Sequence, residues 1–389
     1  MFSDKVTDLE GSSIRATFKL LADPEIISFA GGAPAPTLFP AQELAQISAE
    51  IIKNKSATAL QYGVTEGYFP LREYVTDRMT KIGNVNKNDQ LIITTGGQQA
   101  LDLAFKVFLN EGDLAVVESP SFVGGLNSLR SQNARLMSVK VQQDGLDTEE
   151  LENIAKKEKI KILYTIPTFQ NPTGITMSIE KRREILRLAS KYDFYVLEDN
   201  PYSELRFRGE DIPTIKSMDT EGRVIYAGSF SKILSAGMRI GFAIARQDIM
   251  EKMVICKQVA DVHTPVLTQM MAYEFCTRYS LDDHIEKSRR LYGERCNAML
   301  GFMDKHFPDF CTYTRPEGGI FLWCSLPSKY DTSVLFKSAV EKKVAFVAGN
   351  GCEADTKRKS SDFRLNYSLS DIPRIEEGVK RLTEVILNY

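Results

Sequence analysis

Between about residues 45 and 250 the sequence alternates short continuous apolar runs with longer segments spaced like amphipathic helices. Continuous apolar runs are typical of strands buried on both faces, and strands that alternate with helices imply a mainly parallel sheet covered by helices. We therefore predict an α/β fold with a seven-stranded sheet. The predicted strands are LIITT (91–95), LAVVE (114–118), ARLMSV (134–139), KILYTI (161–166), FYVLE (194–198), RVIYA (223–227) and RIGFAIA (239–245).

Two segments between these strands carry helix signals. QQALDLAFKVFL places Leu101, Ala104 and Phe108 on one side of a helix, and SIEKRREILRLASKY begins with Ser178 as an N-cap. Both are expected to cover the sheet.

The pattern changes after about residue 280. SLDDHIEK opens a long helix, with Ser280 and Asp283 at the spacing of a capping box. The strand-like runs GGIFLWCSL, VAFVAG and FRLNYSL follow, and then the helical tail IPRIEEGVKRLTEVILNY. We predict a large domain at residues 40–279 and a small α+β domain made of residues 1–39 and 280–389.

The composition favours a small-molecule partner. A chain of 389 residues with a formal net charge of −2 has no excess positive charge for a nucleic acid or an anionic membrane. Its six cysteines and three histidines lack ligand spacing, so no metal site is expected. The N-terminal stretch carries acids where a secretion signal carries bases, and no run of 18 apolar residues occurs. We expect a cytoplasmic protein without a membrane span.

Polar and aromatic groups follow several predicted strands, at the edge where open α/β sheets bind ligands. Gly97 and Gln98 follow LIITT at a helix start, whose free N–H groups suit a phosphate, although a plain glycine turn is the simpler interpretation. Phe122 follows LAVVE and can stack on a planar ligand or belong to the core. Asn171 lies in the turn PTFQNPTG, where its amide can donate to a ligand oxygen.

Charged groups follow two more strands. FYVLE leads directly into Asp199, and a buried carboxylate needs a partner, for which a structural salt bridge is the simpler interpretation. SFSKILSAGMRIGF places Lys232 in a loop of small residues and Arg239 seven residues later. Taken alone, this lysine would extend into solvent. A desolvated lysine is, in contrast, a nucleophile that forms Schiff bases, and Ser229, Ser231 and Arg239 suit a phosphate.

Together the strand ends supply a phosphate cradle, an aromatic ring, an amide, a carboxylate, the phenol of Tyr202 and a nucleophilic lysine. Pyridoxal phosphate presents the matching groups, which are a phosphate, a pyridine ring with its nitrogen, a phenolic oxygen and an aldehyde. Because six weak signals meet at one edge of the sheet, we predict pyridoxal phosphate as the cofactor.

These residues resemble the fold-type I, class I/II aminotransferase family. SFSKILSAGMRIGF is similar to its Schiff-base lysine segment, and its other signatures are similar to PTFQNPTG, LEDNPYSELRF, ISFAGGAPAPTLFP, LQYGVTEGYFPLREYV and PEGGIFLWCSLP. The resemblance covers essentially the whole chain and is nearest to the branch of 2-aminoadipate and kynurenine aminotransferases. It implies transfer of an amino group from an L-amino acid, such as 2-aminoadipate, glutamate or an aromatic amino acid, to a 2-oxo acid such as 2-oxoglutarate.

The resemblance also implies roles for single residues. Lys232 would form the Schiff base and move the proton between Cα and C4′, and Asp199 would pair with the pyridine nitrogen. Other residues would hold the rest of the cofactor: Phe122 at the ring face, Asn171 and Tyr202 at the phenolic oxygen, and Gly97, Gln98, Ser229, Ser231 and Arg239 at the phosphate. A homodimer is implied as well, with Tyr62 reaching the phosphate across the interface.

Further residues would bind the substrate. Arg364, in DFRLNYSL, would hold the α-carboxylate as a bidentate fork, with help from Asn171 and the backbone at Gly32. Arg15, in GSSIRATF, would meet the distal carboxylate of a dicarboxylic donor, or else is a solvated arginine at a helix start.

Two other functions stay open from the sequence. A pyridoxal phosphate-dependent lyase or decarboxylase has the same fold, because the protein decides which bond at Cα breaks. A regulator that senses a ligand with such a domain would carry a DNA-binding helix-turn-helix before it. Only about ten residues precede GSSIRATF, so this is the least favoured function.

Overall fold

The computed structural model describes residues 23–389. Its strands are, in chain order, β1 (Ile27–Ser28), β2 (Asp89–Thr95), β3 (Leu114–Ser119), β4 (Arg135–Gln142), β5 (Gly145–Leu146), β6 (Ile160–Thr165), β7 (Tyr195–Asp199), β8 (Val224–Ser229), β9 (Ile240–Arg246), β10 (Thr312–Tyr313), β11 (Phe321–Ser325), β12 (Val344–Ala345), β13 (Val347–Ala348) and β14 (Asp362–Asn366). Its α-helices are α1 (Ala41–Ala59), α2 (Phe69–Lys81), α3 (Gly97–Phe108), α4 (Val123–Arg130), α5 (Thr148–Ala155), α6 (Ile179–Tyr192), α7 (Ile215–Met218), α8 (Gln247–Ala260), α9 (Val266–Arg278), α10 (Leu281–His306), α11 (Thr332–Glu341) and α12 (Ile372–Leu387).

The large sheet has the strand order β2-β9-β8-β7-β6-β3-β4-β5. The run from β8 to β4 is parallel, β9 is antiparallel to both of its neighbours, and β5 is antiparallel to β4. All seven predicted strands are present, and the α/β class is confirmed. The sheet has one strand more than predicted, because β5 has only two residues and such a short strand leaves no pattern in the sequence.

Helices cover both faces of this sheet. Ala115 and Val117 of β3 belong to a core that includes residues of α3, α4 and α8. Leu114 and Val116 alternate with them and belong to a second core, with residues of α5 and α6. Because successive side chains of a strand point to opposite faces, β3 needs apolar residues at each position from Leu114 to Val117, which is why its sequence begins with a continuous apolar run.

The predicted helix caps are formed. The hydroxyl of Ser178 accepts a hydrogen bond from the backbone N–H of Lys181 at 3.4 Å at the start of α6. At the start of α10 the hydroxyl of Ser280 accepts from the N–H of Asp283 at 3.1 Å. Each cap satisfies one of the N–H groups that a helix start leaves without a helical partner.

A second, four-stranded sheet has the order β10-β11-β14-β13 and is antiparallel. The run VAFVAG does not form one strand, since β12 pairs in parallel with β1 whereas β13 pairs with β14. Residues near the N-terminal end therefore pack beside the C-terminal part of the chain. The domain bounds of 40–279, and of 1–39 with 280–389, stay predictions.

Within residues 23–389 no helix is both long and apolar enough to cross a membrane. In the same part of the chain, no three His, Cys, Asp or Glu side chains are grouped so that they could hold a metal ion. The six cysteines, which all lie in this part, are free thiols.

Candidate active site

A cavity of about 440 Å³ opens where the parallel strands end. Its walls come from the large sheet, from β11 and β14 of the second sheet, and from the segment at residues 32–33. Twelve of the residues singled out from the sequence line it: Gly32, Gly97, Gln98, Phe122, Asn171, Asp199, Tyr202, Ser229, Ser231, Lys232, Arg239 and Arg364. The fold thus brings these widely separated positions into one place.

Lys232 lies in the loop between β8 and β9, and its Nζ donates a hydrogen bond to the backbone oxygen of Gly32 at 2.5 Å. Burial, together with the positive charges of Arg364 and Arg239, lowers the pKa of its amine to about 8, and the charge of Asp199 opposes this fall. A useful fraction of this amine is therefore neutral near pH 7, as a nucleophile or a base must be.

Asp199 is the last residue of β7, and its Oδ2 accepts a hydrogen bond from the hydroxyl of Tyr164 at 2.8 Å. Burial, together with the charge of Glu118, raises the pKa of Asp199 to about 7, and the hydrogen bond from Tyr164 and the charge of Lys232 oppose this rise. The close partner of this carboxylate is thus a phenol rather than the cation that the sequence suggested. Sequence reasoning missed Tyr164, although a hydroxyl in a buried apolar strand signals a polar partner.

One end of the cavity is suited to an anion. Helix α3 begins at Gly97, and its cap Gly96 has φ +76°, a conformation that favours glycine. A Cβ on Gly96 would lie 2.3 Å from a terminal nitrogen of Arg239. That guanidinium donates to the backbone oxygens of Thr95 at 3.2 Å and Ala236 at 3.3 Å. The helix start and the guanidinium together favour a phosphate.

Strand β9 lies directly against the start of α3. A Cβ on Gly241 would come within 2.5 Å of the carbonyl carbon of Gly96 and 2.6 Å of the nitrogen of Gly97. Beside it, the buried hydroxyl of Ser229 accepts from the N–H of Ser231 at 3.0 Å. The position of the helix start therefore depends on the absence of a side chain at residue 241.

The side chain of Gln98 forms hydrogen bonds within the protein. Its Nε2 donates to the oxygen of Gly124 at 2.9 Å and to the hydroxyl of Ser128 at 2.8 Å, both in α4. What Gln98 offers to the cavity is its backbone N–H in the first turn of α3.

Arg364, on β14, is a buried arginine, and two of its three nitrogens donate hydrogen bonds to described residues. Its Nη1 donates to Oδ1 of Asn171 at 2.8 Å, its Nη2 donates to the backbone oxygen of Ala30 at 2.7 Å, and its guanidinium lies 4.0 Å from the ring centre of Phe321. Its Nε is buried without a partner among the described residues. Because a buried unpaired N–H is costly, this donor suits an anionic ligand.

Asn171 also contacts Tyr202. Its Nδ2 lies 3.5 Å from the hydroxyl oxygen of Tyr202, a long hydrogen bond, and burial raises the pKa of that phenol. Both groups stay neutral near pH 7 and can donate hydrogen bonds to an oxygen of a ligand.

Two predicted residues lie elsewhere. Tyr62 is 81% exposed and does not line this cavity; its ring packs edge-on against His263 at 5.8 Å between centroids. Arg15 lies outside the described residues.

The residues of the cavity fit pyridoxal phosphate. The helix start with Arg239 suits the phosphate, Asp199 can accept from a ring nitrogen, and Lys232 is an amine with a lowered pKa that can meet an aldehyde. The glycines at 96 and 241 let Arg239 and the first turn of α3 lie close together at the phosphate end.

The chain is similar over nearly its whole length to known proteins. The family model described as "Aminotransferase class I and II" matches residues 25–382. Aromatic-amino-acid aminotransferase 1 of Thermococcus litoralis is 41% identical, over 99% of this chain and 94% of the relative. The 2-aminoadipate transaminase of Thermus thermophilus is also 41% identical, over 96% of this chain and 93% of the relative.

A solved structure agrees with these relatives. The kynurenine aminotransferase of Pyrococcus horikoshii, in complex with PMP, KYN and KYA, has a TM-score of 0.95 and 40% identity to this chain. The match covers 100% of this chain and 97% of that one.

Proposed function

The chain belongs to the class I and II aminotransferase family, and on that premise we propose its substrate class and a role for each residue of the cavity. It is a pyridoxal phosphate-dependent aminotransferase. We infer that its donor is a dicarboxylic amino acid, such as 2-aminoadipate or glutamate, or an aromatic L-amino acid. Its acceptor is a 2-oxo acid such as 2-oxoglutarate. The two relatives at 41% identity, named for aromatic amino acids and for 2-aminoadipate, support this range.

One observation carries the proposal. The cavity combines a lysine with a lowered pKa, a buried carboxyl group and an arginine nitrogen without a partner. These are the groups that an amino acid and a pyridine-ring cofactor require at the same time.

When bound, pyridoxal phosphate supplies a ring that withdraws electrons from the substrate Cα. Lys232 would hold the cofactor through its amine, and its pKa near 8 suits a base that moves a proton at the substrate Cα and at C4′ of the cofactor. Asp199 would keep a proton on the ring nitrogen through the carboxylate oxygen that does not accept from Tyr164.

The remaining cofactor contacts divide by position. We assign the phosphate to the N–H groups of Gly97 and Gln98 and to the side chains of Ser229, Ser231 and Arg239. Asn171 and Tyr202 would donate to the phenolic oxygen, and Phe122 would stack on the ring.

Arg364 binds the α-carboxylate of the substrate, with Asn171 and the backbone at Gly32 beside it. Its Nη groups are already oriented by Asn171 and Ala30, so the guanidinium is held in place before the substrate arrives. A preorganised donor of this kind loses little side-chain entropy on binding.

We also propose a homodimer in which Tyr62 reaches the phosphate of the partner subunit. Tyr62, Leu60 and Val64 form an exposed apolar segment, and Val259 is 86% exposed. A Cβ on Gly63 would lie 2.6 Å from Val266, so this segment packs beside the start of α9. The cytoplasmic location expected from the sequence stays a prediction.

The first experiment is an absorbance spectrum of the protein with pyridoxal phosphate, before and after adding single amino acids without any 2-oxo acid. We expect conversion of the cofactor to its amine form and release of one 2-oxo acid per site, with 2-aminoadipate, glutamate or an aromatic amino acid as the best donor. Release of carbon dioxide or of ammonia over repeated turnovers would show a decarboxylase or a lyase instead.

The same assay tests the distal carboxylate. We expect Arg15→Ala to lower kcat/KM at least about tenfold for 2-aminoadipate and glutamate, since it removes a charge-assisted hydrogen bond, and to leave aromatic donors unchanged. An equal loss for every donor would rule out this role for Arg15.

A further inference from the structure

Asp199 has a partner that the roles above do not use. Tyr164, on β6, donates its hydroxyl hydrogen bond to Asp199 at 2.8 Å, and both residues are buried. Asp199 lines the cavity and Tyr164 does not.

The phenol of Tyr164 is held on two sides. Phe105 of α3 packs edge-on against it, with ring centroids 5.8 Å apart. On α4, a Cβ at Gly125 would lie 2.4 Å from a ring carbon of Tyr164 and 2.8 Å from its hydroxyl oxygen. Glycine inside a helix costs stability, and at this position it leaves space for the phenol to reach Asp199.

Two charged groups also act on Asp199. Glu118 raises its pKa by charge repulsion and Lys232 lowers it. Glu118 is itself held by Thr165, the N–H of Ile166 and Gln170, at 2.5, 3.2 and 3.0 Å. Tyr164 is the neutral donor in this group, and a hydrogen bond donated to a carboxylate stabilises its charged form.

We propose that Tyr164 is a positioning residue whose hydroxyl keeps Asp199 ionised and directs its second oxygen to the ring nitrogen of pyridoxal phosphate. The proton shared between the carboxylate and the ring nitrogen then stays on the nitrogen. This inference rests on the proposed pairing of Asp199 with that nitrogen. Without the hydroxyl, part of the proton population moves to Asp199, and the ring withdraws electrons less strongly.

The test is the ¹⁵N chemical shift of ring-labelled pyridoxal phosphate bound to the protein, followed from pH 5 to pH 10. In the Tyr164→Phe variant we expect the midpoint for loss of the ring-nitrogen proton to fall by about one pH unit, which corresponds to losing one hydrogen bond to a charged group. We also expect kcat to fall about tenfold with little change in KM.

Three further variants separate this effect from a loss of folding. Gly125→Ala displaces the phenol of Tyr164 without removing its hydroxyl. It should lower the midpoint for loss of the ring-nitrogen proton, as Tyr164→Phe does. Gly301→Ala is its control, since a Cβ at this helical glycine meets nothing within 4 Å. Tyr367→Phe removes another buried hydroxyl, which donates to Gly318 at 2.9 Å, and should leave the midpoint unchanged.

The outcomes distinguish this inference from the function it rests on. If the ring nitrogen of the unmodified protein is already neutral at pH 7, the proposed role of Asp199 fails. If it is protonated there and Tyr164→Phe has the same midpoint, only the role of Tyr164 fails. An equal change in the Tyr367→Phe control would also overturn the inference, because the effect would then be structural.

Discussion

Asp199 and Lys232 change the stability of the cofactor-free protein with opposite sign and in different pH ranges. The pKa of Asp199, about 7, lies above its ordinary 3.8, so between those values the folded protein binds more protons than the unfolded chain. The free energy of unfolding therefore falls as pH rises from about 4 to 7. The pKa of Lys232, about 8, lies below its ordinary 10.5, so the unfolded chain binds more protons between pH 8 and 10.5, and stability rises there.

We therefore predict that the contribution of Asp199 and Lys232 to the free energy of unfolding is least favourable near pH 7 to 8. Asp199→Asn should remove the fall in the free energy of unfolding between about pH 4 and 7. Lys232→Met should remove its rise between about pH 8 and 10.5. Each change is worth on the order of 2 kcal/mol, after allowing for water in the cavity. Urea unfolding of the cofactor-free proteins at pH 4.5, 7.5 and 10 measures these differences. Variants whose curves run parallel to that of the unmodified protein would contradict the assignment.

At the scale of elements, the phosphate end depends on close packing between β9 and α3. We predict that Gly241→Ala displaces the first turn of α3, because its Cβ would lie 2.5 Å from the carbonyl carbon of Gly96. The dissociation constant of pyridoxal phosphate should rise at least about tenfold, as expected when one charge-assisted contact is lost. Titration of the cofactor-free protein, followed by absorbance, measures it.

The matched control is Gly237→Ala, in the loop just before β9. A Cβ there meets only the hydroxyl oxygen of Ser235, at 3.9 Å, and Gly237 does not line the cavity. Its cofactor affinity should match that of the unmodified protein. Equal losses in both variants would show that the loop as a whole, and not the contact at Gly241, controls binding.

The elements that could be predicted from sequence are those whose pattern is local. The parallel strands are buried on both faces, so β3 and β8 each begin with an unbroken run of four apolar residues. Ser178 and Ser280 mark helix starts because their hydroxyls cap the helix. The division of VAFVAG between two sheets could not be predicted, because it depends on pairing with β1, which lies more than 300 residues away in the chain. The hydrogen bond from Tyr164 to Asp199 could not be predicted for a similar reason, since the two residues lie on different strands.

At the scale of the whole molecule, the exposed segment around Tyr62 predicts a subunit interface. Leu60→Asp places a charge in that apolar segment and should dissociate the proposed homodimer, since an uncompensated buried charge is strongly unfavourable. Sedimentation should show monomers, and cofactor affinity should fall because Tyr62 no longer reaches the partner's phosphate.

Val334→Asp is the control for that experiment. Val334 is also an exposed apolar residue, but it lies on α11, in the C-terminal part of the chain. It should leave the sedimentation unchanged. A protein that is monomeric before any substitution and still binds the cofactor fully would exclude the role of Tyr62.

The pairing of β1 with β12 also sets an order of events during synthesis. Ile27 pairs with Val344, so a ribosome that adds about 5–20 residues per second makes β1 roughly 15–60 seconds before its partner strand exists. By then every strand of the large sheet has been made, because the last of them in the chain, β9, ends at Arg246. The nascent chain can thus complete its phosphate cradle while Arg364 is still inside the ribosome, and the carboxylate site is the last part to form.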